Sequence, residues 1–153
     1  MRRSDREMNT EFALRVFDVA EYATLSTTSA DGQPYGIAVS AVVLDDAVYF
    51  HCATEGHKLN NIAVEPRVCI SAVSRTKPRP EKFTTEYDSA VAFGTCELVT
   101  DRVKKTRVLL AICEKFAPGN MENAAKTIEY ALDMTVVCRV TIERLTGKSN
   151  GGD

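Results

Sequence analysis

The chain has 153 residues, 44% hydrophobic and 26% charged, with 19 basic against 21 acidic side chains. That length supports one globular core, and a net charge of −2 gives no one-sided basic field, so neither nucleic acid nor an anionic membrane surface is an expected partner. The longest strictly apolar run, Val108 to Cys113, is far short of the roughly 20 residues a membrane span needs, and Ser4-Asp5-Arg6-Glu7 stands where an export signal would be apolar, so a cytoplasmic protein is expected.

Asn9 or Thr10 opens a first helix with Phe12, Val16 and Val19 on one face, ending near Glu21. Tyr22 to Thr28 reads as a strand, and Ala30-Asp31-Gly32 as the turn of a hairpin. A second strand runs from Gln33 to Leu44, breaks at Asp45-Asp46, and is followed by a third, Ala47 to Cys52. Alternation in the third puts Tyr49 and His51 on one face and Val48, Phe50 and Cys52 on the other, and an inward-facing His51 is expected. Gly56 precedes a short helix from His57 to Val64, which Pro66 bars from continuing. Val68 to Val73 is a fourth strand, Arg75 to Thr85 a long surface loop, and Tyr87 to Val99 a fifth strand. Thr100 or Asp101 caps a helix carrying Leu109, Ile112, Cys113 and Phe116, stopped by Pro118-Gly119. A further helix carries Met121, Ala125, Ile128 and Leu132, and Met134 to Glu143 alternates as a half-buried final strand.

These six strands, the first three joined only by turns, predict a mainly β fold with flanking helices, an antiparallel barrel closed or partly closed. A single domain over residues 1–146 with a polar tail over 147–153 is expected.

Five cysteines (52, 69, 96, 113 and 138), with no C-x-x-C pair, read as reduced thiols, and with two histidines in the chain no metal site is expected. The densest reactive stretch is Tyr49 to Lys58, which holds both histidines. A helix start there offers free N–H groups, and His57 and Lys58 add donors, an arrangement suited to phosphate. On spacing alone the same residues also read as two solvated cations, and His51 as either a structural or a catalytic histidine. Dinucleotide, Walker, serine-hydrolase and zinc-peptidase motifs do not occur.

Met1-Arg2-Arg3-Ser4-Asp5-Arg6-Glu7, the Asp31-Gly32-Gln33-Pro34-Tyr35 turn, Val48-Tyr49-Phe50-His51-Cys52-Ala53 with Gly56-His57-Lys58, Glu65-Pro66-Arg67-Val68-Cys69 and Leu145-Thr146-Gly147-Lys148 occur in this order along the chain. Together they resemble the Nim (5-nitroimidazole-resistance-like) subgroup of the pyridoxamine 5′-phosphate oxidase-like, FMN-binding split barrels. The resemblance implies a six-stranded split β-barrel, a homodimer, and FMN (or FAD) at the dimer interface. It implies that Ile37, Ala38, Val39, Ser40 and Ala41 line the flavin ring largely through their backbone, that Phe50 and His51 lie beside the cofactor, and that His57 and Lys58 hold its phosphate. The implied activity is reduction of a small organic acceptor, possibly a nitroaromatic, with His51 as proton donor or substrate-orienting group. The alternatives are a non-catalytic flavin- or haem-binding sensor or carrier and an empty structural dimer. Pyridoxamine phosphate oxidases place arginine where His57 stands, so looser flavin binding is expected, and no histidine follows His57 to supply their C-terminal Arg-x-His signature, so that oxidase activity is not expected.

Overall fold

The computed structural model describes residues 3–151; Met1 and Arg2 of the opening motif, and Gly152 and Asp153 of the expected tail, lie outside the described residues. Asn9 accepts the Phe12 N–H at 2.9 Å and starts α1 (Thr10–Val19), whose buried face is Ala13, Val16 and Phe17. Among the described residues eight strands form one antiparallel sheet: β1 (Glu7–Met8), β2 (Ala23–Thr28), β3 (Pro34–Val39), β4 (Ala41–Leu44), β5 (Ala47–Cys52), β6 (Arg67–Arg79), β7 (Thr84–Leu98) and β8 (Val136–Asn150). The neighbour order is β3-β2-β6-β7-β8-β5-β4, with β1 on β8. Three helices complete the fold: α2 (His57–Val64), α3 (Arg102–Phe116) and α4 (Ala124–Ala131).

The expected strand from Gln33 to Leu44 is two strands. Ser40 alone separates β3 from β4, yet these strands terminate opposite ends of the neighbour order. The chain therefore links the two ends covalently while no ladder among the described residues joins them, which leaves a split barrel rather than a closed one. The apolar pattern gives no warning of the break, because Val39 and Ala41 are both buried on either side of it.

Three other expectations are corrected. Arg75 to Thr85 is not a loop: β6 runs to Arg79, pairs with β7 down to Thr84, and turns through a 3-10 turn at Pro80–Lys82. Pro78 is accommodated because β2 pairs only with Cys69 to Ala72 of β6, so no ladder partner waits for its missing N–H on that side. Cross-strand ion pairs, Arg75–Asp88 at 2.9 Å and Arg79–Glu86 at 2.7 Å, hold the arm. The final strand does not end at Glu143: Gly147 to Asn150, expected in a tail, pair with Tyr87 to Ala90 of β7. The helix stripes are also rotated, since α3 buries Val108, Leu109 and Ile112, while Phe116 and Ala125 are exposed.

Two apolar clusters result. Inside the barrel, Phe17 and Ala20 pack with Leu25, Ile70, Val48 and Phe50. Outside it, α3 and α4 lay Val108, Ile112, Ile128 and the following Leu132 over Val42, Tyr49 and Val137 of β4, β5 and β8. Asp101 caps α3 by accepting the Lys104 N–H at 2.7 Å. Both Asp45 and Asp46 have positive φ, 49° and 57°, as a tight two-residue hairpin turn requires. At the β7–β8 irregularity after Phe93, a Cβ on Gly94 would lie 1.9 Å from the Thr141 carbonyl oxygen, so only glycine admits this strand approach.

Candidate functional site

The reactive stretch lies where β5 ends and α2 begins. Gly56, at φ 137°, turns the chain into α2 and offers no side chain to cap it. The Leu59 and Asn60 N–H groups bond back to the Gly56 carbonyl, leaving the first N–H groups of the helix, at His57 and Lys58, without a side-chain cap among the described residues. Nothing lies within 4 Å of where a Gly56 Cβ would sit, so the space before the helix is open.

His57 is exposed but tied down. Its ring stacks on Tyr35 of β3, with centroids 4.4 Å apart and planes 12° from parallel, and Nε2 lies 2.9 Å from Ser29 Oγ in the β2–β3 turn. One turn further along α2, the buried Asn61 donates to Thr27 Oγ1 of β2 at 2.9 Å. The helix start is thereby fixed against the β2–β3 hairpin. The sequence gives no site role to Ser29, Thr27 or Asn61, and none to Tyr35 beyond its place in the turn over 31–35. Ser29 and Asn61 are 28 and 34 positions from their partners, and no local signal announces such pairings.

β3 is a terminal strand, hydrogen-bonded to β2 on one side only, so one edge of its backbone has no ladder partner among the described residues. Gly36 and Ala38 are exposed on it, Ile37 and Ser40 are partly buried, and Val39 and Ala41 are buried. The candidate segment 37–41 thus presents small side chains and a free backbone edge, next to the hairpin that carries the α2 start. A groove of about 380 Å³ crosses the neighbouring outer sheet face, lined among others by Ser26, Thr28, Pro34, Cys69 and Phe93. Arg67 at its rim is clamped by Glu65, whose carboxyl is held down to about 2 by that hydrogen bond.

Phe50 and His51 diverge. Phe50 is fully buried in the barrel core, so its side chain supports the wall and does not reach the surface. His51 is exposed, on the Tyr49 face of β5 opposite Val137, and not directed into the barrel as expected. Partial desolvation of its ring lowers its pKa below the ordinary histidine value.

Lys58 is partly buried, and its charge acts on the thiols of Cys52 and Cys138. The neighbouring Cys138 thiol and burial push Cys52 up all the same, and Cys138, favoured by Cys52 but opposed by Cys96 and by burial, is pushed up to about 12. Such thiols are poor nucleophiles near neutral pH. All five cysteines are free, and among the described residues no cluster of ligands suits a metal ion and no helix is long and apolar enough to cross a membrane.

The fold is shared with solved structures of low sequence identity. The conserved hypothetical protein Rv2991 of Mycobacterium tuberculosis superposes with a TM-score of 0.82 at 18% identity, covering 96% of this chain and 88% of that one. A FAD- and haem-binding protein of Mycobacterium smegmatis gives 0.79 at 20% identity, covering 96% and 74%. A candidate 5-nitroimidazole antibiotic resistance protein of Bacteroides thetaiotaomicron gives 0.75 at 19% identity, covering 94% and 86%. No curated protein matches the chain in sequence. The family model described as Pyridoxamine 5′-phosphate oxidase matches residues 10–149, nearly the whole chain, and with its split-barrel sheet the protein belongs to that family.

Proposed function

We propose that this protein binds FMN, with FAD as the second candidate, and uses it to reduce a small organic acceptor, a nitroaromatic of the Nim type being the favoured class. The observation that carries the reading is the uncapped start of α2, locked by the Tyr35–His57 stack beside the free edge of β3. The residues fit a flavin phosphate: two unclaimed backbone N–H groups, the positive end of a helix, and the Lys58 ammonium. Because the His57 ring is engaged by Tyr35 and Ser29, its contribution to phosphate is its backbone N–H, and Lys58 supplies the charge. The segment 37–41 offers backbone donors and acceptors to the polar edge of a flat ring, with Ala38 and Ser40 small enough to permit approach.

When bound, the flavin supplies two-electron redox chemistry. The chain's own part is to hold the phosphate, orient the ring along β3, and deliver a proton to the reduced acceptor from His51, which is exposed and retains an ionisable ring. The open outer face of β3, β2, β6 and β7 is where a second copy would pack in a homodimer, covering the flavin ring from the other side. The protein would work in the cytoplasm.

FMN titration followed by flavin fluorescence tests the site. Lys58→Ala is expected to weaken binding by about 1.5–3 kcal/mol, the scale of a hydrogen bond to a charged group. Equal affinity in the variant would remove the phosphate assignment. A second reading, a flavin or haem carrier without catalysis, is favoured by the FAD- and haem-binding neighbour and by an exposed His51, whose imidazole would hold the haem iron. A haem Soret band in the purified protein that His51→Ala abolishes would select it.

A further inference from the structure

The last turn of α3 directs one cation back into the barrel wall. Lys115 Nζ donates to the Phe17 carbonyl and to the Ala41 carbonyl, each at 2.7 Å. Phe17 belongs to the final turn of α1, where carbonyls lack intrahelical donors, and Ala41 is the first residue of β4, immediately after Ser40. The ammonium therefore joins three elements distant in sequence at the point where the strand bends. It is partly buried, and desolvation pulls its pKa below the ordinary lysine value against the opposing pull of Asp18, so its placement is costly unless its bonds compensate.

Core burial of Val39 and Ala41 holds the flanks of the bend, and among the described residues no ladder holds Ser40 itself. The β2–β3 ladder ends with Val39 opposite Ala23, and the β4–β5 ladder begins with Ala41 opposite Phe50. Ser40 belongs to neither ladder, and the directions of the two strands are set by opposite ends of the sheet. Among the described residues, Lys115 is the side chain whose hydrogen bond reaches residues 39–41.

We infer that Lys115 is a positioning residue: it sets the angle at which the chain bends at Ser40, and through that angle the line of backbone 37–41 offered to a flavin ring. The second half rests on the flavin reading above, whereas the bend is set with or without flavin. A lysine that only adds stability would, at equal global stability, leave FMN affinity where Ile128→Ala leaves it.

The test compares Lys115→Met, which keeps an unbranched apolar stem and removes the donors, with Ile128→Ala, which weakens the α3–α4 layer away from the bend. Hydrogen exchange on the flavin-free chain should show amides 39–43 opening about tenfold or more faster in Lys115→Met than in Ile128→Ala once both are compared at equal global stability. The FMN dissociation constant should rise about tenfold in Lys115→Met alone, with Lys115→Arg, which keeps charge and donors, recovering most of both effects. Exchange at 39–43 that changes only in step with the rest of the sheet would overturn the inference. FMN affinity no weaker than in Ile128→Ala would overturn its flavin half. Failure of the parent chain to take up FMN would overturn the flavin reading instead, because the exchange result is obtained without flavin.

Discussion

The outer face of the sheet is finished on one side and unfinished on the other. Over β4, β5 and the start of β8, helices α3 and α4 bury Val42, Tyr49 and Val137 almost completely. Over β3, β2, β6 and β7 no helix lies among the described residues, and the same face shows Gly36, Ala38, Val73 and Phe93 to solvent, Val73 and Phe93 at 49% and 38% exposure. Strands of one sheet thus carry large side chains on both faces where a helix covers them and small or mixed ones where none does. The proposed flavin strand, the groove beside it and the expected dimer contact all fall in the unfinished half.

The sharpest way to break this comparison is to empty one large side chain in each half. Tyr49→Ala should cost about 3–5 kcal/mol, the range for deleting a buried aromatic, while Phe93→Ala should change the stability of the isolated chain by no more than about 0.5 kcal/mol. Urea unfolding of both variants measures the difference, and similar losses would mean that the open face is already covered. A charge placed on the open face tests what covers it: Ala38→Arg should leave folding intact and halve the mass seen by light scattering at micromolar concentration. A parent chain that already runs at the mass of one copy with flavin bound would defeat the dimer.

His51 stands where the covered half runs out, one alternate position beyond Tyr49 on β5. If it donates a proton to the acceptor, His51→Ala should slow single-turnover reoxidation of reduced flavin by a nitroaromatic at least tenfold, within the range of about 10²–10⁴ for general acid catalysis, with flavin affinity nearly unchanged. Normal reoxidation at full occupancy would confine His51 to a bystander's place.

What the sequence conveyed, and what it concealed, follows the same division. Local chemistry was legible to within a residue: Asn9 rather than Thr10 and Asp101 rather than Thr100 cap their helices, Asp45-Asp46 makes its turn, and Gly56 opens α2, because each of these depends on a few adjacent residues. The bend at Ser40 was not, since alternation continues through it and only the long-range order of strands separates β3 from β4. The β6–β7 arm was hidden by Pro78 and Pro80, which signal a loop unless the strand's outer edge is known to be free. At the site, the positions of His57 and Lys58 at a helix start were readable from Gly56 and Pro66, whereas the Tyr35 stack and the Lys115 bond join residues far apart in sequence. The resemblance sets Phe50 and His51 side by side at the cofactor, whereas adjacent strand residues face opposite ways, so Phe50 enters the core and His51 does not.

A smaller effect probes the covered half from within. The Tyr49 hydroxyl is buried and has no hydrogen-bond partner among the described residues, with Lys104 Nζ lying 5.6 Å from the ring centre. Burial of an unpaired hydroxyl carries a desolvation cost of about 1–3 kcal/mol, so Tyr49→Phe should be neutral or stabilising by about 1 kcal/mol, against the usual direction for a core substitution. A loss of stability in thermal unfolding would reveal a partner for the hydroxyl.

The smallest expected effect is on pH. Desolvation lowers the His51 pKa below 6.5, so the folded chain resists protonation that the unfolded chain accepts. Between those two values the unfolded state binds more protons, and by linkage stability must rise with pH there. The stabilisation from keeping His51 neutral is therefore complete above about 6.5 and is lost as pH falls through the lower folded value. Because the side chain is exposed, solvent keeps the effect small. Melting temperatures of the parent and His51→Gln, followed from pH 7.5 to 5, should separate in slope, the variant losing less on acidification because its side chain takes up no proton. Parallel curves would mean that His51 is solvated as freely in the folded chain as in the unfolded one, and that the covered half ends at Tyr49 rather than reaching the histidine.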